Sequence, residues 1–200
     1  IKLLNQASHR HHLWEVFGDF IEMSAIALAN STDLTQHERR EKRYMQLIGR
    51  YEPAEQKLFP KMFGELTLAM EFGPDDVLGR VFSELELGNS ARGHLCALIA
   101  QVNVGDGEHC RELTRQRGFI RVSEPAAGAG AMVIAMAEVM TKAGINYQQH
   151  MHVVAQDVDI RAVHMAFLQL SLLHIPAIVV LGNTLTMEVR EQWFTPAHIM

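Results

Sequence analysis

The sequence predicts an α/β protein in which a helical N-terminal subdomain precedes a parallel sheet. Up to about residue 110 the apolar positions fall at three-to-four spacing, as at Leu13, Phe17, Phe20, Ile21, Ser24 and Leu28. From Phe119 onward short β-type runs alternate with helical stretches. The first of those runs stops in two glycines, Gly128 and Gly130, and passes straight into a helix. With 200 residues, 48% of them hydrophobic and 20% charged, the chain is long enough to bury a core without disulfides or a structural metal.

Taken in order, Ser8 is the expected N-cap of the first amphipathic helix. A strongly charged helix follows from about Thr35 to Arg50, its run Gln36-His-Glu-Arg-Arg-Glu-Lys-Arg43 read as a solvated face. Pro53 opens a third helix to about Phe72, interrupted at Pro60 and closed by Gly73-Pro74. Short helices are expected over Asp75 to Leu87, ended by Gly88-Asn89, and over His94 to Val104, with Gly105-Asp-Gly107 as a loop. The sheet half reads as strand Phe119 to Ser123, helix Ala131 to Ala143, strand His150 to Ala155, helix Ile160 to His174 and strand Ala177 to Leu181. The domains are therefore 1–110, helical, and 111–200, a cofactor-binding α/β domain incomplete at its C-terminal end. Three strands are few for such a sheet, so further strands are expected beyond Met200 or from a neighbour.

The charge balance is 18 basic against 23 acidic residues, a net of −5, and neither half of the chain is basic. That argues against autonomous binding to a long duplex, which needs a basic face. No apolar run is long enough for a membrane span, and no signal peptide is expected. Cys96 and Cys110 form no CxxC pair and no secreted disulfide pattern, so a reducing, cytoplasmic setting is expected. His9, His11 and His12 are read as surface residues rather than a zinc site, and His150 and His152 as a satisfied or solvated pair on one side of a strand. Met132, Met136 and Met140 have helical spacing and are read as core.

The chemistry is concentrated in Val122-Ser-Glu-Pro-Ala-Ala-Gly-Ala-Gly-Ala-Met132. Glycines at a strand-to-helix turn let a ligand approach the backbone, and the helix start offers unpaired N–H groups. Val133 stands where a dinucleotide fingerprint has its third glycine. Asp157 follows the second strand, where a carboxylate accepts both hydroxyls of a ribose, and Asn183 follows the third, placed to meet an adenine ring. Three successive strand ends thus aim at one crevice. The bland alternatives are tight packing for the glycines, helix capping for Asp157 and a turn role for Asn183.

Glu124-Pro-Ala-Ala-Gly-Ala-Gly130, Ala155-Gln-Asp-Val-Asp159 and Gly182-Asn-Thr-Leu185 resemble the cofactor motifs of the N6-adenine DNA methyltransferases, nearest to the modification subunits of type I restriction systems and their plasmid and phage relatives. Asp76-Val-Leu-Gly-Arg-Val-Phe82 resembles the short helix that these proteins place before the catalytic domain. The resemblance covers about residues 75–185. It implies a Rossmann-like sheet that binds S-adenosylmethionine, with Gly128 and Gly130, after the Glu124-Pro125-Ala126 lead-in, at the methionine end. It also implies Glu124 near the amino group, Asp157 on the ribose, Val158 against the adenine and Asn183 on an adenine nitrogen. The implied partners are DNA, held weakly or through a further segment or subunit, and a second copy or a specificity subunit; no metal is implied.

The family's Asp/Asn-Pro-Pro-aromatic catalytic motif does not occur among the six isolated prolines. Either it lies beyond Met200 or the protein does not methylate, so the catalytic residues are unknown and a degenerate binding or assembly subunit is the alternative. A nicotinamide-dependent oxidoreductase is a third reading, disfavoured by the missing third glycine. The family's Phe-Thr-Pro segment is absent from Asn89 to Cys96, whereas Phe194-Thr195-Pro196 resembles it near the end, as a displaced motif or by chance.

Overall fold

The structure is a computed structural model and describes residues 1–85 and 107–200. The helix expected over His94 to Val104, the end at Gly88-Asn89, the Asn89–Cys96 segment and most of the Gly105–Gly107 loop lie outside the described residues. The N-terminal part consists of α1 (Lys2–Ala7), α2 (Leu13–Asn30), α3 (His37–Ile48), α4 (Pro53–Gln56), α5 (Leu58–Met70) and α6 (Val77–Leu85). Ser8 ends α1 instead of opening α2: its hydroxyl donates to the Asn5 carbonyl at 2.9 Å, and His12 occupies the α2 N-cap. The third helix breaks at Lys57, not at Pro60. Pro60 sits in the first turn of α5, where a backbone N–H has no intrahelical acceptor to lose.

The charged helix α3 is less solvated than its composition suggests. Arg40 is 3% exposed, pairs with Asp33 at 2.9 Å and lies 4.8 Å over the Trp193 ring. Arg43 and Arg39 reach Glu22 and Glu191. Helix α3 thereby ties α2 to the far end of the chain, an arrangement that a run of charges does not disclose.

The second part adds α7 (Gly107–Arg117), β1 (Ile120–Glu124), α8 (Ala131–Lys142), α9 (Tyr147–His150), β2 (Met151–Asp157), α10 (Ile160–Leu172), β3 (Ala177–Asn183), β4 (Glu188–Phe194) and α11 (Pro196–Ile199). The sheet is mixed and four-stranded, in the order β1-β2-β3-β4. β1, β2 and β3 are parallel; β4 runs antiparallel to β3 with a register shift at Leu181/Gly182. The fourth strand thus comes from within the chain, in a segment whose Glu188-Val-Arg-Glu-Gln192 is largely polar and exposed and so carries no apolar alternation. His150 ends α9 and is not part of the strand, which begins at Met151.

Burial alternates along β2: Met151, Val153 and Ala155 are buried, while His152, Val154 and Gln156 are not. α10 packs on β2 and β3 with one side and on α2 with the other, which explains why it is buried continuously from Ala162 to Ser171. One cluster of buried residues therefore runs from Leu4 through Phe17, Leu78 and Phe167 to Trp193. α7 crosses the boundary expected near residue 110. Of the three methionines on α8, Met140 is fully buried and Met132 and Met136 are partly so.

His164 on α10 packs edge-on against Trp193, with centroids 4.9 Å apart. Burial pushes its pKa from 6.5 down to about 4. Because the unfolded chain takes up this proton first, the stability that the neutral ring confers is complete above pH 6.5 and is lost as pH falls through 4. The loss should approach roughly 3 kcal/mol. Urea midpoints at pH 7 and pH 4.5 should diverge for the parent protein, and the gap should narrow in His164→Phe; an unchanged gap would dismiss His164 as the acid-sensitive group.

Candidate functional site

The ends of β1, β2 and β3 lie side by side, and hydrogen bonds tie them into one corner. At the end of β1, Glu124 Oε1 accepts from the Ala126 N–H at 3.1 Å and closes the Glu124-Pro125-Ala126 turn. The Ala127 N–H donates to the Gln156 carbonyl at 2.9 Å, binding the loop to the end of β2. Gly128 and Gly130 have φ of 54° and 95°, and Gly130 is the N-cap of α8. No described side chain caps that helix, so its first N–H groups face the corner without one.

Asp157 is the hub. Its Oδ2 accepts from the Gly128 N–H at 2.8 Å and its Oδ1 from the Asp159 N–H at 3.0 Å. The carboxylate therefore fixes the glycine loop, and each oxygen retains a second lone pair for a hydroxyl donor. Capping of α10 is performed by Asp159, which accepts from the Arg161 N–H at 2.9 Å. Val158, beside this hub, is 59% exposed and presents an apolar surface to solvent.

At the end of β3, Asn183 Oδ1 accepts from the Leu185 N–H at 3.0 Å, so its acceptor oxygen holds a turn. Thr184 donates its hydroxyl to the Pro125 carbonyl at 2.9 Å, bridging the first and third strand ends across the second. The Gln156 amide, oriented to suit its surroundings, accepts from the Asn183 and Thr184 N–H groups at 3.2 and 3.0 Å. All eight residues singled out from the sequence, Glu124, Pro125, Ala126, Gly128, Gly130, Asp157, Val158 and Asn183, thus stand on these three adjoining strand ends.

Sequence reasoning missed Gln169. Buried on α10 with no exposed surface, it accepts from the Leu78 N–H at 2.9 Å and donates to Asp76 Oδ1 and to the Ala129 carbonyl, both at 2.8 Å. It links the start of α6 to the glycine loop. The available signal was a lone amide inside the otherwise largely apolar run Ala162 to Leu170.

The histidines do not converge on this corner. His11 packs at a tilt against Tyr51 with centroids 4.6 Å apart, and His152 Nε2 lies 2.9 Å from His198 Nδ1 on α11. Among the described residues no group of three or more His, Cys, Asp or Glu could hold a metal ion. Phe194-Thr195-Pro196 lies at the end of β4, where the buried Thr195 hydroxyl donates to the Ile175 carbonyl at 2.8 Å and accepts from the Ala177 N–H at 2.9 Å. Ala177 opens β3, so Thr195 works at the end of that strand opposite Asn183.

Replacing Gly130 by alanine isolates its backbone role. A Cβ there would meet Ala166 Cα at 3.6 Å, an ordinary contact, so the cost comes from φ. A loss of about 1–2 kcal/mol in chemical unfolding is expected, whereas a neutral effect would mean that the loop relaxes at no cost.

Comparison with models of known protein families, with curated proteins and with solved structures finds no match to this chain. Among the described residues no helix is long and apolar enough to cross a membrane.

Proposed function

We propose that this chain is the cofactor-binding portion of an S-adenosylmethionine-dependent DNA adenine-N6 methyltransferase, built on a Rossmann-like sheet. The observation that carries the reading is the Asp157 carboxylate, which holds a positive-φ glycine loop at the start of α8 and keeps lone pairs for a ribose. A diol on Asp157, an adenine edge on Val158 and Asn183, and a charged amino-acid tail by Glu124 and the first amides of α8 fit the chemistry of that cofactor. Bound here, S-adenosylmethionine would supply an electrophilic methyl group for transfer to an adenine amine. This corner would supply binding and orientation.

A degenerate binding or assembly subunit is the second reading. It is favoured by the absence of any Pro-Pro pair and by the engagement of Asn183 Oδ1 within its own turn. Calorimetric titration of S-adenosylmethionine into the purified chain tests both, with NADH as the competing ligand. Saturable binding of S-adenosylmethionine alone supports the cofactor site; no heat with either ligand leaves only the assembly reading.

A further inference from the structure

The end of β1 remote from the glycine loop carries a second feature. In a chain of net charge −5, no acidic residue occurs between Glu112 and Glu124, while Arg115, Arg117 and Arg121 all do. Arg115 pairs with Glu112 at 2.7 Å. Arg117 and Arg121 are exposed, and neither has a carboxylate partner among the described residues. Phe119 stands between them, 47% exposed, with the Arg121 guanidinium 5.9 Å from the ring centroid. A cavity of about 380 Å³ opens here, lined by Leu113, Arg117, Phe119, Ile120 and Arg121.

The turn that presents these groups is anchored. The Gly118 N–H donates to the Thr114 carbonyl at 2.8 Å, and His150 Nδ1 lies 2.8 Å from the Gly118 carbonyl. On β2 the register partner of Arg121 is His152, which adds a ring nitrogen to this end of the sheet and not a negative charge. Two guanidinium groups without a carboxylate partner among the described residues, flanking an exposed aromatic face over a partly apolar recess, match a phosphate next to a base: the cations meet the phosphate oxygens and the ring stacks on the base.

We propose that Arg117, Phe119 and Arg121 form a nucleotide-binding surface that takes single-stranded nucleic acid, separate from the glycine corner. It stands independently of the S-adenosylmethionine reading, since β1 spans five residues and so separates the two places by roughly 13 Å. An acidic peptide offers the anion without the stacking base.

The test is fluorescence anisotropy of a labelled oligothymidylate with the whole chain across a salt series. The double variant Arg117→Gln/Arg121→Gln should weaken binding about tenfold or more and lower the salt slope by about 1.4, two single-strand phosphate contacts. Phe119→Ala should weaken binding about fivefold or more with the slope unchanged. Lys61→Gln, the loss of an exposed charge elsewhere, should have no such effect. Competition by AMP as strong as by unlabelled oligonucleotide identifies free nucleotides as the source; weak competition identifies the strand. Absence of binding, equal loss in Lys61→Gln, or displacement by oligoglutamate together with indifference to Phe119→Ala overturns the proposal. All four side chains named for the surface and its control are exposed, and matching thermal midpoints establish that the variants fold.

Discussion

If the proposed cofactor site is right, Asp157→Ala is expected to weaken S-adenosylmethionine binding strongly and to loosen the glycine loop at the same time. Two ribose hydroxyls donating to a carboxylate are worth about 1.5–3 kcal/mol each, so removing the acceptor should weaken binding by at least about 100-fold. The same change leaves the Gly128 and Asp159 N–H groups without their acceptor. Because Asp157 is only partly buried, water replaces part of that loss, and a stability cost of about 1–2 kcal/mol is expected. Asp157→Asn separates the two roles. Its amide oxygen still accepts one backbone bond, while the charge and one acceptor are gone. Calorimetry and thermal unfolding on the same samples read both effects. A parent that binds and an alanine variant within threefold of it would remove Asp157 from the ribose; an unchanged midpoint would remove it from the loop.

The largest effect on stability is expected at Gln169. In Gln169→Leu three groups lose a partner: the buried Leu78 N–H, and the part-buried Ala129 carbonyl and Asp76 Oδ1, the last of which keeps the Gly79 N–H. At about 1–3 kcal/mol for each buried orphan, offset by apolar packing, a loss of about 3 kcal/mol and a fall in Tm of roughly 10 °C are expected. Gln169→Glu should cost more at neutral pH. It keeps the acceptor for Leu78 but sets a carboxylate against the Ala129 carbonyl and the Asp76 carboxylate. Burial and those neighbours raise the pKa of the introduced carboxyl, so its penalty should shrink as pH falls and the group protonates. Hydrogen exchange at Leu78 should accelerate most in Gln169→Leu, which removes its acceptor. A Gln169→Glu protein as stable as the parent at pH 7 would show that the amide donates nothing of consequence.

Gln169 also shows how a site depends on what the sequence conceals. Its partners lie 91, 93 and 40 residues away, so no local pattern announces them. The same holds for Arg40, whose position in a run of charges suggests water, yet which packs over Trp193 because β4 lies beside α3. β4 itself is illegible for a related reason: an edge strand with most of its length in solvent needs no alternation, and its pairing with β3 supplies what its side chains do not. By contrast, the α10 run Ile160–Leu172, the Ala131–Lys142 helix and the cores of β1 to β3 were readable to within a few residues, because each is a local apolar run of helix or strand length set off by turn residues.

By itself the sequence determined the alternation of helix and strand, the place of the glycine turn and the order in which Glu124, Asp157 and Asn183 follow successive strands, since these depend on local spacing and backbone freedom. Only the tertiary structure decided that the strands lie in the order β1-β2-β3-β4, that the Asp157 oxygens are spent first on the backbone of the loop, and that α6 is tied to that loop through Gln169. The physical reason is that hydrogen bonds and ion pairs between distant segments form only once the hydrophobic layers have brought them together, and nothing in a residue's neighbours along the chain records which partner it will meet.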